Sequence, residues 1–436
     1  MSTDLLDTVS TNHAREPVPE SERVSGLRMA VIIVGIAITL PAFLIGSQTL
    51  AALGAVDGIL AIGGAGIILA IIAGLTMTIA ANTHLPTGQI LIASFGRIGA
   101  KLVSFFIGVT LLGWFGFTVS LFADACYHAS MAAFDASLPQ WVYSVLGGLL
   151  MIGTTIFGFK AMDKLSRLAV PVLVLLLVWA SYAILSDYSL PDIFSMQGSG
   201  AGPLAKIGAA MSALVGGFMV GVTISPDYAR FARSKSDAAT ASVLSYGFGY
   251  QAVLIVAGLP ALVIGSHDFV GNLAAIGLGV PAVIIVIFAT WTTNVSNLYS
   301  TSLGFAQIFT TKREWLIPFV AGSVGTLGAL LGIMDHFVSF LLFLGIAVPP
   351  VCGVFLADYY IVHRHGTYQD AVARAPAIAP AALIAWLGAT GLTLWLDGQS
   401  ISLTKIAAVD AILMSALLYV VFAKLMSSQR AVPSQL

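Results

Sequence analysis

The sequence predicts an all-α polytopic membrane protein. It has twelve transmembrane helices, the first ten forming a five-plus-five inverted repeat with discontinuous helices 1 and 6, and the last two standing as additions. Three observations predict this. The 436 residues are 58% hydrophobic and 9% charged, with a mean hydropathy of +0.96, whereas a soluble domain carries about 25% charge. Apolar runs of the length a membrane helix needs, about 20 residues, recur along the whole chain. Two of those runs, five helices apart, carry backbone-breaking residues.

The runs lie near 27–52, 58–81, 101–127, 140–159, 166–186, 204–229, 239–264, 279–306, 316–334, 337–360, 375–396 and 405–425. Connections between them are short, the longest being 187–203 and 361–374, so no soluble domain is expected. The predicted organisation is a polar N-terminal tail (1–26), a ten-helix core (27–360), two additional helices (361–425) and a C-terminal tail (426–436). Cytoplasmic loops collect lysine and arginine. With the N-terminus inside, seventeen of the 19 basic residues fall on the cytoplasmic side and only Lys206 and Lys405 fall outside. One missed helix would invert every later loop, so this split supports the span count and places both termini in the cytoplasm. The first run is too long and lacks the cleavage context of a signal peptide. A net charge of −1 gives no footprint for nucleic acid. Cys126 and Cys352 lie apart without metal-ligand spacing, and no redox or metal role is assigned to them.

Pro41 in the first run deletes a backbone donor and clashes one turn back, which predicts a break near Thr39 and Leu40. The sixth run holds Gly216, Gly217 and Gly221 and then Pro226, with the break expected beside the Gly216-Gly217 pair. Paired interruptions in helices 1 and 6 predict an inverted repeat with a binding site at the bilayer midplane. Pro349 and Pro350 mark the tenth span as a flexible gate or a kinked wall.

Intramembrane polar residues are expensive and therefore informative. The densest set is Trp291-Thr292-Thr293-Asn294-Val295-Ser296-Asn297 in the eighth span. Adjacent threonine hydroxyls, facing free carbonyls at the first-span break from Thr39 to Ala42, are suited to replacing the water around Na⁺. Asn294 and Asn297 each donate and accept hydrogen bonds, as the polar edge of a heterocycle requires. Trp114 sits deep in the third span, where tryptophan is uncommon; it suits stacking on a flat ring, with Phe218 closing the other face. The glutamates (Glu16, Glu20, Glu22 and Glu314) all lie in cytoplasmic segments, and Asp227 reads as part of a structural or gating pair with Arg230. With few carboxylates in the core, sodium coupling is favoured over proton coupling. Asp410 has no evident partner, and the histidines, among them His84, His336, His363 and His365, read as ordinary surface groups.

Gly113-Trp114-Phe115-Gly116, Asp227-Tyr228-Ala229-Arg230-Phe231, Trp291-Thr292-Thr293-Asn294 followed by Leu303-Gly304-Phe305-Ala306, and Pro349-Pro350 through Gly353 to Asp358-Tyr359 occur in that order from Pro17 to about Tyr359. In these motifs the sequence resembles the nucleobase:cation symporter-1 family, and within it the purine-cytosine and cytosine permeases. The resemblance implies a LeuT-like inverted repeat that moves one sodium with one substrate across a bacterial inner membrane. It implies sodium held by carbonyls near Thr39, Ala42 and Ala289 and by the hydroxyls of Thr292 and Thr293. It also implies a substrate stacked on Trp114 and meeting Gly217, Phe218 and Asn294. Leu111 and Ala289 stand where cytosine permeases carry Gln and Asn, so the expected substrate widens to another pyrimidine, a purine, a hydantoin or allantoin, or a thiamine-pathway pyrimidine. The expected partners are a small neutral heterocycle and membrane lipid, with no nucleic acid, no cofactor beyond the coupling ion, and a monomer as the working unit. Proton-coupled or uncoupled carriage is the near alternative and a channel the distant one. An enzyme is disfavoured because no metal set or nucleophile triad shares a common depth.

Overall fold

The computed structural model describes residues 18–135, 137–157, 171, 174–175, 178–201, 204–264, 279–306, 308–309, 311–336, 340, 343–344, 346–363, 368–399 and 401–430. Most of the expected tails and the first part of the fifth span (166–170, 172–173 and 176–177) lie outside the described residues, as do His267, Arg364 and His365. Among the described residues the structure is helical, with two isolated bridges (Val24 to Ala232 and Gly54 to Gln197) in place of any sheet.

The first span is two helices, Gly26–Ala37 and Leu40–Leu53, separated by an extended Thr39 (φ −146°, ψ 152°). The break falls where Pro41 places it: the proline occupies the opening turn of the second helix, where no intrahelical partner is required of its nitrogen. The sixth span departs from expectation. Ile207–Thr223 runs unbroken through Gly216, Gly217 and Gly221, and the interruption comes at Ile224–Ser225, after which Pro226 opens a one-turn helix, Pro226–Ala229. Glycine weakens a helix but keeps its N–H, whereas proline removes the bond and clashes with the preceding turn. Proline therefore sets the position of the interruption, and the glycines leave one helix face bare.

A helix preceding the third span was not anticipated. Thr87–Phe134 is interrupted at Gly96 (φ 77°, ψ 171°), so a short helix over 87–95 precedes the long one. The second span (Ala55–Thr83), the seventh (Lys235–Ile264), the eleventh (Pro380–Gly398) and the twelfth (Ala407–Met426) are, with 87–127, long and apolar enough to cross a membrane; shorter apolar helices include Gln140–Ile156, Ile207–Thr223 and Leu316–Leu330. The eighth span, Gly279–Ala306, packs on the third, the second on the sixth, and the seventh on the second half of the first. The last contact depends on two glycines. A Cβ on Gly46 would overlap the backbone of Leu254, and one on Gly258 would overlap the carbonyl of Gly46. Beside them the Ser47 hydroxyl donates to the Ala257 carbonyl at 3.1 Å.

The tenth span bends at Val348, ahead of Pro349–Ala357. The Val351 N–H bonds Val348 rather than Ala347, and the Ala347 carbonyl is taken instead by the indole N–H of Trp386 on the eleventh helix, at 3.1 Å. Ten residues on, the buried Asp358 carboxylate accepts hydrogen bonds from Ser94 (3.0 Å), Tyr368 (3.1 Å) and Tyr419, and pairs with His363 Nδ1 at 2.9 Å. His363, itself part-exposed, thus caps a buried polar junction from its surface side. His84 is likewise engaged, its Nδ1 lying 2.9 Å from the Arg230 carbonyl. Asp410, unexplained by sequence, ties down the loop before the twelfth helix: its carboxylate accepts the backbone N–H groups of Leu403 and Thr404 (both 2.9 Å) and the hydroxyls of Ser402 and Thr404 (both 2.6 Å).

Two outcomes follow. Gly46→Val overpacks the contact between the first and seventh spans and should destabilise the protein by about 1–3 kcal/mol, read as a lowered thermal midpoint in detergent. The hydrogen bond to Asp358 raises the pKa of His363 above its ordinary 6.5. A raised value means that the protonated form stabilises the fold at pH below 6.5, and that this contribution is lost as pH climbs through the raised value. The thermal midpoint should therefore fall over that interval in the parent protein and stay flatter in His363→Gln.

Candidate binding cavity

Helical spacing brings five spans to one cavity of about 700 Å³, counted to its open mouth. The first span gives Thr39, Pro41, Ala42 and Ile45 at its break. The third gives Leu111, Trp114 and Thr118, three and four residues apart, and so on one helix face. The sixth gives Gly217, Phe218, Gly221 and Ile224, the eighth Thr293 and Asn297, and the seventh Tyr246 and Tyr250. Tyr228 closes one end, its hydroxyl 3.0 Å from Ser300 Oγ.

Trp114 and Phe218 are the half-buried aromatic rings among these walls. Trp114 meets Phe340 edge-on at 5.8 Å, while Phe218 lies against Tyr250 at 4.0 Å and edge-on to Tyr246 at 6.0 Å. Each ring is held by other aromatic groups and leaves surface for a flat ligand. The Thr118 hydroxyl is spent on the Trp114 carbonyl at 2.9 Å. The Thr39 Oγ1 and the Tyr250 hydroxyl are buried without a hydrogen-bond partner.

Beside the cavity, the Thr292 Oγ1 lies 3.0 Å from the Gly35 carbonyl, 2.9 Å from that of Phe288 and 3.1 Å from that of Ala289. One hydroxyl proton serves one of these oxygens at a time, so the four oxygens form an electron-rich cluster. The first-span carbonyl in it is Gly35, in place of the expected Thr39 and Ala42. A helix leaves carbonyls unpaired at its C-terminal end and N–H groups unpaired at its N-terminal end. Gly35 is in the last turn of the first half-helix, whereas the Thr39 carbonyl accepts the Phe43 N–H at 3.0 Å and Ala42 is inside the second half-helix.

Of the residues singled out from sequence, the cavity gathers Thr39, Ala42, Leu111, Trp114, Gly217, Phe218, Thr293 and Asn297. Thr292 and Ala289 belong to the adjoining oxygen cluster. Asn294 is turned elsewhere: its Nδ2 donates to the Phe115 carbonyl at 3.0 Å and lies 3.1 Å from Met151 Sδ. The cause is helical phase, since Thr293 and Asn297 are four apart and share the cavity face while Asn294 sits about 100° round the helix. Trp291 also faces away, donating to Thr154 Oγ1 at 3.0 Å. Sequence reasoning missed Tyr246 and Tyr250. Their four-residue spacing and their hydroxyls inside an apolar run were the available signal. Arg230, fully buried, sends its guanidinium to the Asp227 backbone carbonyl (3.2 Å) and the Tyr299 hydroxyl (3.0 Å), while the Asp227 carboxylate accepts the Thr87 N–H at 2.8 Å. These contacts join the end of the sixth span to the eighth span and to the short helix over 87–95.

A family model described as permease for cytosine/purines, uracil, thiamine and allantoin matches residues 17–423. The cytosine permease of Escherichia coli K12 is 29% identical over 411 residues, 94% of either chain. The hydantoin permease of Microbacterium maritypicum is 27% identical over 297 residues, 62% of this chain and 59% of its own. These relatives are permeases rather than enzymes. Among solved structures, Mhp1, a nucleobase-cation-symport-1 family transporter in a closed conformation with bromovinylhydantoin bound, superposes with a TM-score of 0.81 at 20% identity over 96% of each chain. A Na⁺-coupled sialic acid symporter superposes with a TM-score of 0.66 at 14% identity, over 97% of this chain and 95% of its own. The fold is that of the LeuT-like, all-helical polytopic transporters.

The orientation of Asn294 makes a prediction about stability. Asn294→Ala removes the buried hydrogen bond to the Phe115 carbonyl and should cost about 0.5–1.5 kcal/mol, whereas Asn297→Ala, on the cavity face, should stay within about 0.5 kcal/mol of the parent. Thermal denaturation of the two purified variants, without added ligand, compares them directly.

Proposed function

Because the chain belongs to the family of permeases for cytosine/purines, uracil, thiamine and allantoin, we propose that it imports a nucleobase or related neutral heterocycle by sodium symport with alternating access. One observation carries this reading: a cavity with half-buried Trp114 and Phe218 on its walls adjoins, across the first-span break, the oxygen cluster of Gly35, Phe288, Ala289 and Thr292. The heterocycle stacks between the two rings, where base–aromatic stacking contributes about 1–3 kcal/mol, and Asn297 meets its polar edge. Sodium enters as co-substrate. The negative end of the first half-helix and the surrounding carbonyls replace part of its hydration shell, with Thr292 and Thr293 supplying hydroxyl oxygens.

The energetics are sufficient. One charge crossing 100 mV releases about 2.3 kcal/mol and a tenfold sodium gradient about 1.4 kcal/mol. Together they support accumulation of a neutral solute by about a few hundredfold. In this reading residues 27–360 are the transport core and 361–425 two supporting helices, in a monomer whose termini face the cytoplasm of a bacterial cell and whose spans lie in its inner membrane.

Thermal stabilisation of the purified protein by nucleobases, hydantoins and allantoin, in sodium and in choline, tests this, since a ligand that binds the folded state raises apparent stability. At least one heterocycle should shift the midpoint, more so in sodium. Trp114→Ala should abolish that shift, and Thr292→Val should remove its sodium dependence. A shift equal in sodium and choline would replace symport by a proton-coupled or uncoupled carrier. No shift with any heterocycle would overturn the substrate reading.

A further inference from the structure

Resting on that substrate reading, we infer that the seventh span contributes the groups that select the heterocycle, and that Tyr250, with Thr39 across the cavity and Tyr246 one turn away, selects rings whose polar edge carries carbonyl oxygens over rings that carry an amino group. The argument begins with what the other walls lack. Leu111 puts an apolar side chain in the cavity, and Asn297 is the one amide among the described residues that line it. Beyond that single amide, recognition of a polar edge falls on hydroxyls.

Those hydroxyls are not equivalent. The Thr118 proton is committed to the Trp114 carbonyl, and the Tyr228 hydroxyl is engaged with Ser300. Thr39 Oγ1 and the Tyr250 hydroxyl are buried with no partner at all. A buried donor left unpaired costs about 1–3 kcal/mol, so each is poised to gain when a ligand supplies an acceptor. The Tyr246 hydroxyl lies beside the bare face of Gly221, 3.8 Å from where a Cβ would sit, on the same side as Phe218.

The seventh span holds these residues in an unusual register. Val243–Gly249 is a π-helical turn, a form common at functional sites, and Gln251 Nε2 donates to the Tyr246 carbonyl at 2.6 Å. The Tyr250 ring is fixed against Phe218 at 4.0 Å. The ring that carries the hydroxyl therefore has little freedom to turn.

The chemistry of the orphan protons decides the class of ligand. A ring carbonyl has lone pairs and no proton, so it accepts from each hydroxyl and satisfies the donor. An exocyclic amino group brings protons. It can fill a hydroxyl's lone pairs but leaves the hydroxyl proton unpaired, and unfilled acceptors are tolerated better than orphaned donors. Cyclic ureas and imides, such as the hydantoin, uracil and xanthine rings, offer a carbonyl to each donor, whereas cytosine offers one carbonyl beside its amino group and adenine none.

Competition binding to the full-length protein in sodium, using hydantoin, uracil, xanthine, cytosine and adenine as probes, tests the inference. The carbonyl rings should bind at least about tenfold more tightly than the amino rings. Tyr250→Phe and Thr39→Val should each weaken the best carbonyl ring about tenfold and change the amino rings less than about twofold. Thr39→Ser, which keeps the hydroxyl, should restore the parent affinity, so that a folding defect is told apart from a lost hydrogen bond. A parent protein that prefers cytosine or adenine, or hydroxyl-deletion variants that weaken both classes equally or neither, would overturn the inference while leaving the transporter reading intact. Failure of every ring to bind the parent, or binding indifferent to Trp114→Ala, would instead take down the substrate reading and this inference with it.

Discussion

The structure depends on an interrupted backbone placed where water is scarce. In hydrocarbon an unsatisfied backbone group costs several kcal/mol, so the extended residue at Thr39 and the carbonyls before it survive only because protein surrounds them. The eighth span supplies that surrounding on one side through Thr292, whose hydroxyl reaches Gly35 at 3.0 Å. The seventh span supplies it on another, packed against the second half-helix at Gly46 and Gly258 with no room for a side chain. The same break that requires this protection borders both candidate surfaces. Its carbonyl end faces a hydroxyl cluster suited to a cation, and its other end opens into the aromatic cavity.

Each wall of that cavity is one stripe of a helix, and helical phase decides what a residue does. Thr292, Thr293 and Asn294 are consecutive, yet one faces the first-span carbonyls, one the ligand cavity and one the third and fourth spans. The glycines of the sixth span have the complementary role. They do not break the helix; they keep its cavity face low, so that Phe218 stands out from it and Tyr246 approaches closely.

This bears on how much was legible beforehand. The fold class was, because apolar run length and the distribution of lysine and arginine are one-dimensional properties that a bilayer enforces. So was the first-span break, since Pro41 acts locally. The position of the sixth-span interruption was misread because glycine and proline were given the same weight. The carbonyl that meets Thr292 is Gly35 rather than Thr39 or Ala42 because of the polarity of helix ends: Gly35 lies in the last turn before the break, where carbonyls go unpaired, and Thr39 follows it. Asn294 falls off the cavity face because successive residues of a polar run step about 100° round the helix. The partners of Asp358 and Asp410 were not accessible, since Ser94, Tyr368 and Tyr419 come from distant segments and the Asp410 contacts depend on loop geometry.

The double proline of the tenth span has a mechanical consequence. Its bend at Val348 frees the Ala347 carbonyl, which Trp386 of the eleventh helix takes up, and its far end is pinned to the twelfth helix through Asp358 and Tyr419. The bent helix is therefore clamped at its elbow and at its tip by the two helices outside the repeat. Straightening it alone would break both clamps in an environment that offers no water to replace them. Any change of bend in this helix is thus coupled mechanically to the eleventh helix at its elbow and to the twelfth at its tip.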